Sequence, residues 1–169
     1  MLETRPANRF LRGAIAGLSF WLAVAVPAGA QHVVPFARLA GQWAGSGTIN
    51  LADDTHEPIK CKAAYDVLEE QKKLQINLRC ASESYSFDLL ASATYAAGKV
   101  TGVWSESTRN VAGTLSGRAE DNRFQVVAKA ESFNASLTLI THGDRQTVAI
   151  KSQDAQADIK GASIILRRN

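Results

Sequence analysis

The chain has 169 residues, of which 46% are hydrophobic and 21% are charged, and its formal net charge is +3. This length fits one domain with a buried core. Three of the 19 Lys and Arg residues fall within the first twelve positions, so the remaining chain is nearly neutral. The charge therefore does not indicate a nucleic-acid-binding protein, and we expect no nucleic-acid partner.

Residues 1–30 have the pattern of a secretory signal peptide. A basic segment is followed by an apolar stretch at Ala14–Val26 and by an A-x-A cleavage pattern at Ala28–Ala30. The apolar stretch is too short for a comfortable membrane span. We expect cleavage after residue 30, a mature domain over 31–169 that is periplasmic or secreted, and no membrane span after cleavage.

The clearest local prediction is an antiparallel hairpin of two strands, Ile59–Leu68 and Lys73–Ser82. In the register centred on the polar turn between them, one face is apolar and the other is mostly polar. The same register places Cys61 directly opposite Cys80. A slip of one residue would turn every side chain to the wrong face. Because the chain is expected to be exported, this pairing predicts a disulfide.

Apolar and polar residues alternate along most of the remaining chain. A single helical turn is predicted at Phe36–Ala40, followed by a first strand at Gln42–Leu51, and the last two strands are Gln146–Ser152 and Ile159–Arg167. About ten short strands separated by tight turns predict an all-β fold.

The expected architecture is a single antiparallel up-and-down β-barrel of about 8–10 strands with a short N-terminal helical turn. An open meander would leave two exposed edges, so we expect Ile159–Arg167 to pair with Gln42–Leu51 and close the barrel. The outward faces carry Lys, Arg, Gln, Asn, Thr and Ser. A transmembrane barrel needs the opposite polarity, so that class is excluded.

Two short motifs resemble those of a known superfamily. Gly41-Gln42-Trp43, at the start of the first strand, resembles the G-x-W signature of the calycins, which include lipocalins, fatty-acid-binding proteins and avidins. Gly102-Val103-Trp104 repeats the pattern on a later strand. The resemblance implies a barrel in which the tryptophan closes one end.

The export pattern and the single pair of cysteines are similar to those of small secreted barrels that inhibit bacterial metalloproteases. The chain also resembles small exported proteins of alphaproteobacteria, and that likeness implies no particular activity.

The residue types needed for catalysis are present, but no motif brings them together. No phosphate loop, dinucleotide fingerprint, zinc spacing or Ser–His–Asp pattern occurs. Asp53, Asp54, His56 and Glu57 form a cluster of metal-ligand types, which also fits a solvated turn. Glu106 with Arg109 fits either a polar gate at a barrel mouth or an ordinary charged turn. We expect no enzymatic activity, no cofactor and no metal.

The barrel interior is the remaining candidate site. Six aromatic residues fall on inward positions and are predicted to line a ligand space: Trp43, Tyr65, Phe87, Tyr95, Trp104 and Phe124. The same aromatics also fit a filled core, and the sequence leaves both interpretations open. Inward glycines, among them Gly102, Gly113 and Gly117, are expected to leave room near Trp104.

Two functions follow. The first is a monomeric carrier or sensor that binds a small apolar ligand inside the barrel. The second is a protein-interaction module, such as a protease-inhibitor-like barrel, that acts through its N-terminal arm at Gln31–Phe36 and its loops.

Overall fold

The computed structural model describes residues 35–169, so the predicted signal peptide and its cleavage site lie outside the described residues. A short 3₁₀ turn, Pro35–Arg38, precedes ten strands. The strands are β1 Gly41–Leu51, β2 His56–Leu68, β3 Lys73–Ala81, β4 Ser86–Ala96, β5 Lys99–Glu106, β6 Val111–Glu120, β7 Arg123–Ala130, β8 Phe133–His142, β9 Arg145–Ser152 and β10 Ile159–Arg168.

The ten strands form a closed antiparallel barrel in which each strand pairs with the next along the chain. Closure comes from β10 pairing with β1, with Trp43 opposite Arg168 and Gly47 opposite Ile164. Both sheet edges are therefore paired, as the edge argument predicted. The predicted fold class and the closing strand pair are confirmed.

The predicted N-terminal helical turn is present but shorter than expected. It spans Pro35–Arg38 rather than Phe36–Ala40. The Leu39 amide donates to the Phe36 carbonyl at 2.9 Å, and the chain then turns into β1 at Gly41, where φ is +111°. A residue with a side chain rarely adopts that backbone angle, so the glycine marks the point where the turn ends and the strand begins.

The hairpin of β2 and β3 has the predicted register, with Cys61 opposite Cys80 and Tyr65 opposite Ile76. The two cysteines form a disulfide across 4.1 Å between their Cα atoms. This separation resembles that of directly opposed residues that do not exchange backbone hydrogen bonds. Both cysteines are buried on the inner face, so the bond lies inside the barrel wall.

Inward side chains build one continuous apolar core, and outward side chains are mostly polar. The fully buried members include Trp43, Phe36, Leu39, Ile49 and Leu166. This alternation follows from the two-residue period of a β-strand. Across residues 35–169, the structure contains no helix long and apolar enough to cross a membrane.

Candidate functional site

The barrel interior is apolar, and its middle is less tightly covered than the end that carries the 3₁₀ turn. Inward residues at the middle of the strands remain partly exposed, among them Ile76, Leu78, Leu89, Leu115, Val126 and Leu137. Inward residues near the 3₁₀ turn, among them Trp43, Leu74 and Phe124, are buried by contrast. Because these side chains belong to the inward phase of their strands, the exposed area faces the inside of the barrel. We call these residues the middle band.

One end of the barrel is closed by the 3₁₀ turn, and we call it the plugged end. The Phe36 ring lies parallel to the Phe124 ring at 5.7 Å between centroids and edge-on to Tyr95 at 6.2 Å. Only 1% of Phe36 and 1% of Leu39 is exposed. The turn therefore contributes two apolar side chains to the core, and stacked or edge-on aromatic pairs stabilise this arrangement.

Trp43 fixes the turn to the barrel. Its indole N–H donates to the Leu39 carbonyl at 2.8 Å, and the Arg168 guanidinium lies 4.3 Å above its ring. The same guanidinium donates to the carbonyls of Ala40 and Arg38. The first and last strands thus hold the plug from both sides. This geometry matches the role that the G-x-W resemblance implied for Trp43.

A buried polar chain crosses the core near this end. The Tyr65 hydroxyl donates to Gln146 Oε1 at 2.8 Å, and the Gln146 amide donates to the Thr141 hydroxyl at 3.3 Å. Burial raises the pKa of Tyr65, while the hydrogen bond to Gln146 acts in the opposite direction. Tyr65 therefore stays a neutral donor. Each member has a partner, so the chain avoids the penalty of an unsatisfied buried group.

The opposite end carries a buried carboxylate, and we call it the clasped end. Glu106 accepts hydrogen bonds from the backbone amides of Asp88 at 3.0 Å and Arg109 at 2.9 Å. It also accepts from the amide and hydroxyl of Thr108. Burial raises the pKa of Glu106, but these hydrogen bonds outweigh it and lower the pKa to about 2. The ionised carboxylate ties the β5–β6 turn to the start of β4.

Arg109 lies beside this carboxylate at the rim. Its Nη1 atom is 3.6 Å from Glu106 Oε2, and its guanidinium covers the Phe87 ring at 4.6 Å. Phe87 in turn stacks on Tyr85 at 6.5 Å between centroids. Glu106 is bound mainly by backbone amides, so it acts as a clasp for the turn. Arg109 is half-exposed and is the residue of the pair that faces the mouth.

Trp104 lies on the inner wall near the clasped end. Its ring meets Phe133 edge-on at 5.5 Å, and its N–H donates to the Thr114 carbonyl at 3.2 Å. Trp104 is 6% exposed, whereas Phe133 is 39% exposed. An apolar surface at Phe133 is thus accessible from this end of the barrel.

The expectation that inward glycines leave room beside Trp104 is wrong. A Cβ atom added at Gly113 would meet the Lys129 carbonyl and would lie 3.0 Å from Trp104 Nε1. At Gly102 and Gly117 it would also run into the backbone of the adjacent strand. These glycines allow neighbouring strands to approach closely, and the Trp104 ring itself covers Gly113.

All six predicted site residues lie on the inward face, but the structure divides them between the two ends. Four of them pack at the plugged end: Trp43, Tyr65, Tyr95 and Phe124. Phe87 and Trp104 lie toward the clasped end. Whether any of the six contacts a ligand stays a prediction.

Sequence reasoning missed the aliphatic middle band, because it selected aromatics. It also treated Phe36 as part of a free arm, whereas Phe36 is buried in the core. The apolar Phe36 and Leu39 within the predicted turn were the signal that this turn plugs the barrel. Residues 31–34 of the predicted arm lie outside the described residues.

The acidic cluster after β1 is engaged in local hydrogen bonds. Asp53 accepts from the amide of Thr55 at 3.1 Å, and Glu57 accepts from the amide of Ser84 at 2.7 Å. Hydrogen bonds from the hydroxyl and amide of Thr55 lower the pKa of Asp53. Within residues 35–169, no three His, Cys, Asp or Glu side chains are grouped as metal ligands would be.

Solved structures of similar fold were found, although no protein-family model and no curated protein matches the chain. Rv2717c from M. tuberculosis aligns with a TM-score of 0.63 and 10% identity, covering 79% of this chain and 94% of that one. The S-type phycobiliprotein lyase CPES from Guillardia theta aligns with a TM-score of 0.56 and 13% identity, covering 79% and 90%. Both are calycin-like, lipocalin-fold barrels. The chain therefore has the calycin-like fold that its G-x-W motif suggested.

Proposed function

We propose that this protein is an exported calycin-like binding protein, periplasmic or secreted, that holds a small apolar ligand inside its barrel. The observation that carries the proposal is the partly exposed middle band between a plugged end and a clasped end. A filled core would bury these aliphatic side chains as completely as it buries Ile49 or Leu166.

The strand number supports an interior with room for a ligand. Barrel diameter grows with the number of strands. The interior of an eight-stranded barrel is either filled by side chains or able to hold one small ligand. This barrel has ten. Small-ligand sites are concave and mostly apolar, as this interior is.

The polarity of the wall defines the ligand class. The buried polar residues of the interior are Glu106, Thr141 and Gln146, and all three are engaged in hydrogen bonds near the ends of the barrel. The middle band offers aliphatic contacts only. A ligand held there gains free energy from apolar burial, while a charged group there would lack a partner.

CPES is described as a phycobiliprotein lyase, so a barrel of this fold can act on phycobiliproteins. Among the expected alternatives, we propose ligand binding without catalysis. Phe36 is buried, so the N-terminal arm cannot offer this side chain to a protein partner.

The test fills the middle band and measures binding of an apolar fluorescent probe. Ala128→Phe places a ring at an inward, partly exposed position of β7, and Ala112→Phe places the same ring at an outward, exposed position of β6. We expect Ala128→Phe to weaken probe binding by at least about ten-fold, since the added ring takes the ligand's volume. Ala112→Phe should leave binding unchanged.

Two results would contradict the proposal. One is that the unaltered protein binds no apolar probe. The other is that Ala128→Phe destabilises the fold by about 1–3 kcal/mol, the usual cost of overpacking, without changing binding. Probe binding to a Trp104→Phe variant tests the accessible end of the barrel in particular, because Trp104 lies nearer that end than Trp43 does. Native mass spectrometry of protein from its own host would then identify a co-purifying ligand.

A further inference from the structure

The outer wall of the barrel carries a basic band that no single segment of the sequence reveals. The cross-strand register places Arg145 of β9 beside Arg167 of β10, and Lys62 of β2 beside Arg79 of β3. Between these two pairs lies Ala44 of β1, which faces both Arg167 and Lys62. Four cations therefore share one row across five neighbouring strands. At about 4.8 Å between adjacent strands, this row is roughly 20 Å long.

A fifth cation, Lys60, lies two residues before Lys62 on β2 and therefore on the same outward face. It borders a shallow depression of about 530 Å³ whose other outward residues include Ala44, Ser46 and Ala81. Because these neighbours are small, the longer Lys60, Lys62 and Arg79 side chains extend beyond them, and the small residues form the floor of the depression. We call these five cations and this floor the basic band.

Most of these charges have no acidic partner. Arg79 forms an ion pair with Asp88 at 3.2 Å, and the neighbouring Arg168 pairs with Asp144 at 3.3 Å. Among the residues that the structure describes, no carboxylate forms an ion pair with the other four cations: Lys60, Lys62, Arg145 and Arg167. Clustered unpaired charge of one sign raises the local concentration of counter-ions or of a charged partner.

We propose that the basic band docks this protein on the surface of an anionic phospholipid bilayer. Exposed cations near an anionic membrane each add favourable free energy, and several together give measurable binding. Ile165 is 41% exposed on the outer face of β10, two residues from Arg167. An exposed apolar side chain among cations suits the boundary between lipid headgroups and acyl chains.

The same band suits a nucleic acid less well. Recognition of single strands uses aromatic side chains on which bases stack, and the outward positions of β9, β10, β1, β2 and β3 hold no Trp, Tyr or Phe. A bilayer needs only phosphate contacts and tolerates aliphatic residues. The inference is independent of the proposed interior site, although an apolar ligand would be exchanged readily at a membrane.

The experiment compares two triple variants of the full chain that lose equal charge. The test triple is Lys60→Gln, Lys62→Gln and Arg167→Gln within the band. The control triple is Lys99→Gln, Arg118→Gln and Lys129→Gln on the outer faces of β5, β6 and β7. Binding is measured by co-sedimentation with vesicles of phosphatidylcholine alone and with vesicles that also contain about 30% phosphatidylglycerol, an anionic content that gives a strong surface potential.

The readout is the ratio of partition coefficients between the two kinds of vesicle, so any contribution of residues 1–34 is common to both triples. We expect the test triple to lower this ratio roughly hundred-fold and the control triple to lower it less than about three-fold. Raising the salt concentration should weaken binding of the unaltered protein, because screening shortens the range of the charges.

Ile165→Ser should lower the partition coefficient by a few-fold, at low and at high salt alike, because it removes apolar contact rather than charge. Equal ratios for the two triples would overturn the proposal. Salt-sensitive binding to duplex DNA without binding to anionic vesicles would also overturn it, and would assign the band to a nucleic acid instead.

Discussion

The two ends of this barrel are closed by different physical means. At the plugged end, Phe36 and Trp43 fill the core, and each is 1% exposed. At the clasped end, a single carboxylate, Glu106, holds the turns by hydrogen bonds, and the aromatic Phe133 stays 39% exposed. Apolar packing therefore stabilises one end, whereas hydrogen bonds hold the other end in shape and leave apolar surface accessible.

The contrast explains how one small barrel combines stability with access. Burial of large aromatics is the stronger stabilising contribution, and it is concentrated at the plugged end. A polar clasp fixes turn geometry without filling volume. The clasped end is accordingly the end at which a ligand would reach the middle band.

The largest effect is expected from Trp43→Ala. The substitution removes a buried indole together with its hydrogen bond to the Leu39 carbonyl and its contact with Arg168. The free energy of unfolding should fall by about 3–5 kcal/mol, measured by urea denaturation. The loss of unfolding free energy for Trp104→Ala should lie at the lower end of that range. An equal or greater loss at Trp104 would mean that the plug is not the better-packed end.

A matched pair of phenylalanines sharpens the comparison. Phe36→Ala removes a fully buried ring that contacts Phe124 and Tyr95, so it should cost about 3–4 kcal/mol. Phe133→Ala removes a ring that is 39% exposed, and it should cost about half as much. Thermal and urea unfolding of the two variants test this. Similar losses for both would show that the ends are equally dependent on packing.

The disulfide lies toward the clasped end, where Cys80 is opposite Phe87. Cys61 and Cys80 are 19 residues apart, and closing such a loop in the unfolded chain contributes about 3 kcal/mol. The double substitution Cys61→Ala and Cys80→Ala should lower the free energy of unfolding by that amount. Titration of the denatured, unreduced protein should find no free thiol. Two reactive thiols in that titration would contradict the bond.

A smaller effect than that of the disulfide is expected at the clasped end, from the ionisation of Glu106. Its pKa is lowered from 4.5 to about 2, so the stabilisation is complete above about pH 4.5 and is lost as the pH falls toward 2. Glu106→Gln should cost about 2 kcal/mol at pH 7 and should flatten the decline in stability over that range. Urea denaturation at a series of pH values measures both. If stability declined at low pH in Glu106→Gln as it does in the unaltered protein, Glu106 would not be the group that holds the turns.

Much of the fold was predictable because its determinants are local. Alternation with a period of two assigned the strands and their inward faces, and the turns between them are short. The pairing of Cys61 with Cys80 followed from one hairpin register, and the need to cover both edges predicted the β1–β10 pair. Phe36 was misassigned to an arm: its apolar side chain signalled burial, but the place where the turn packs is set only when the barrel closes.

The sequence by itself determined the strand order, the inward and outward faces, the disulfide and the closed all-β class. Only the tertiary structure decided which end the Phe36 turn fills, which aliphatic residues form the middle band, and that Tyr65 meets Gln146, 81 residues away. It alone also brought Lys62 and Arg167 to the two sides of Ala44. The reason is that these contacts depend on the registers of several strand pairs together and on closure of the barrel, whereas each sequence pattern fixes only one strand or one hairpin.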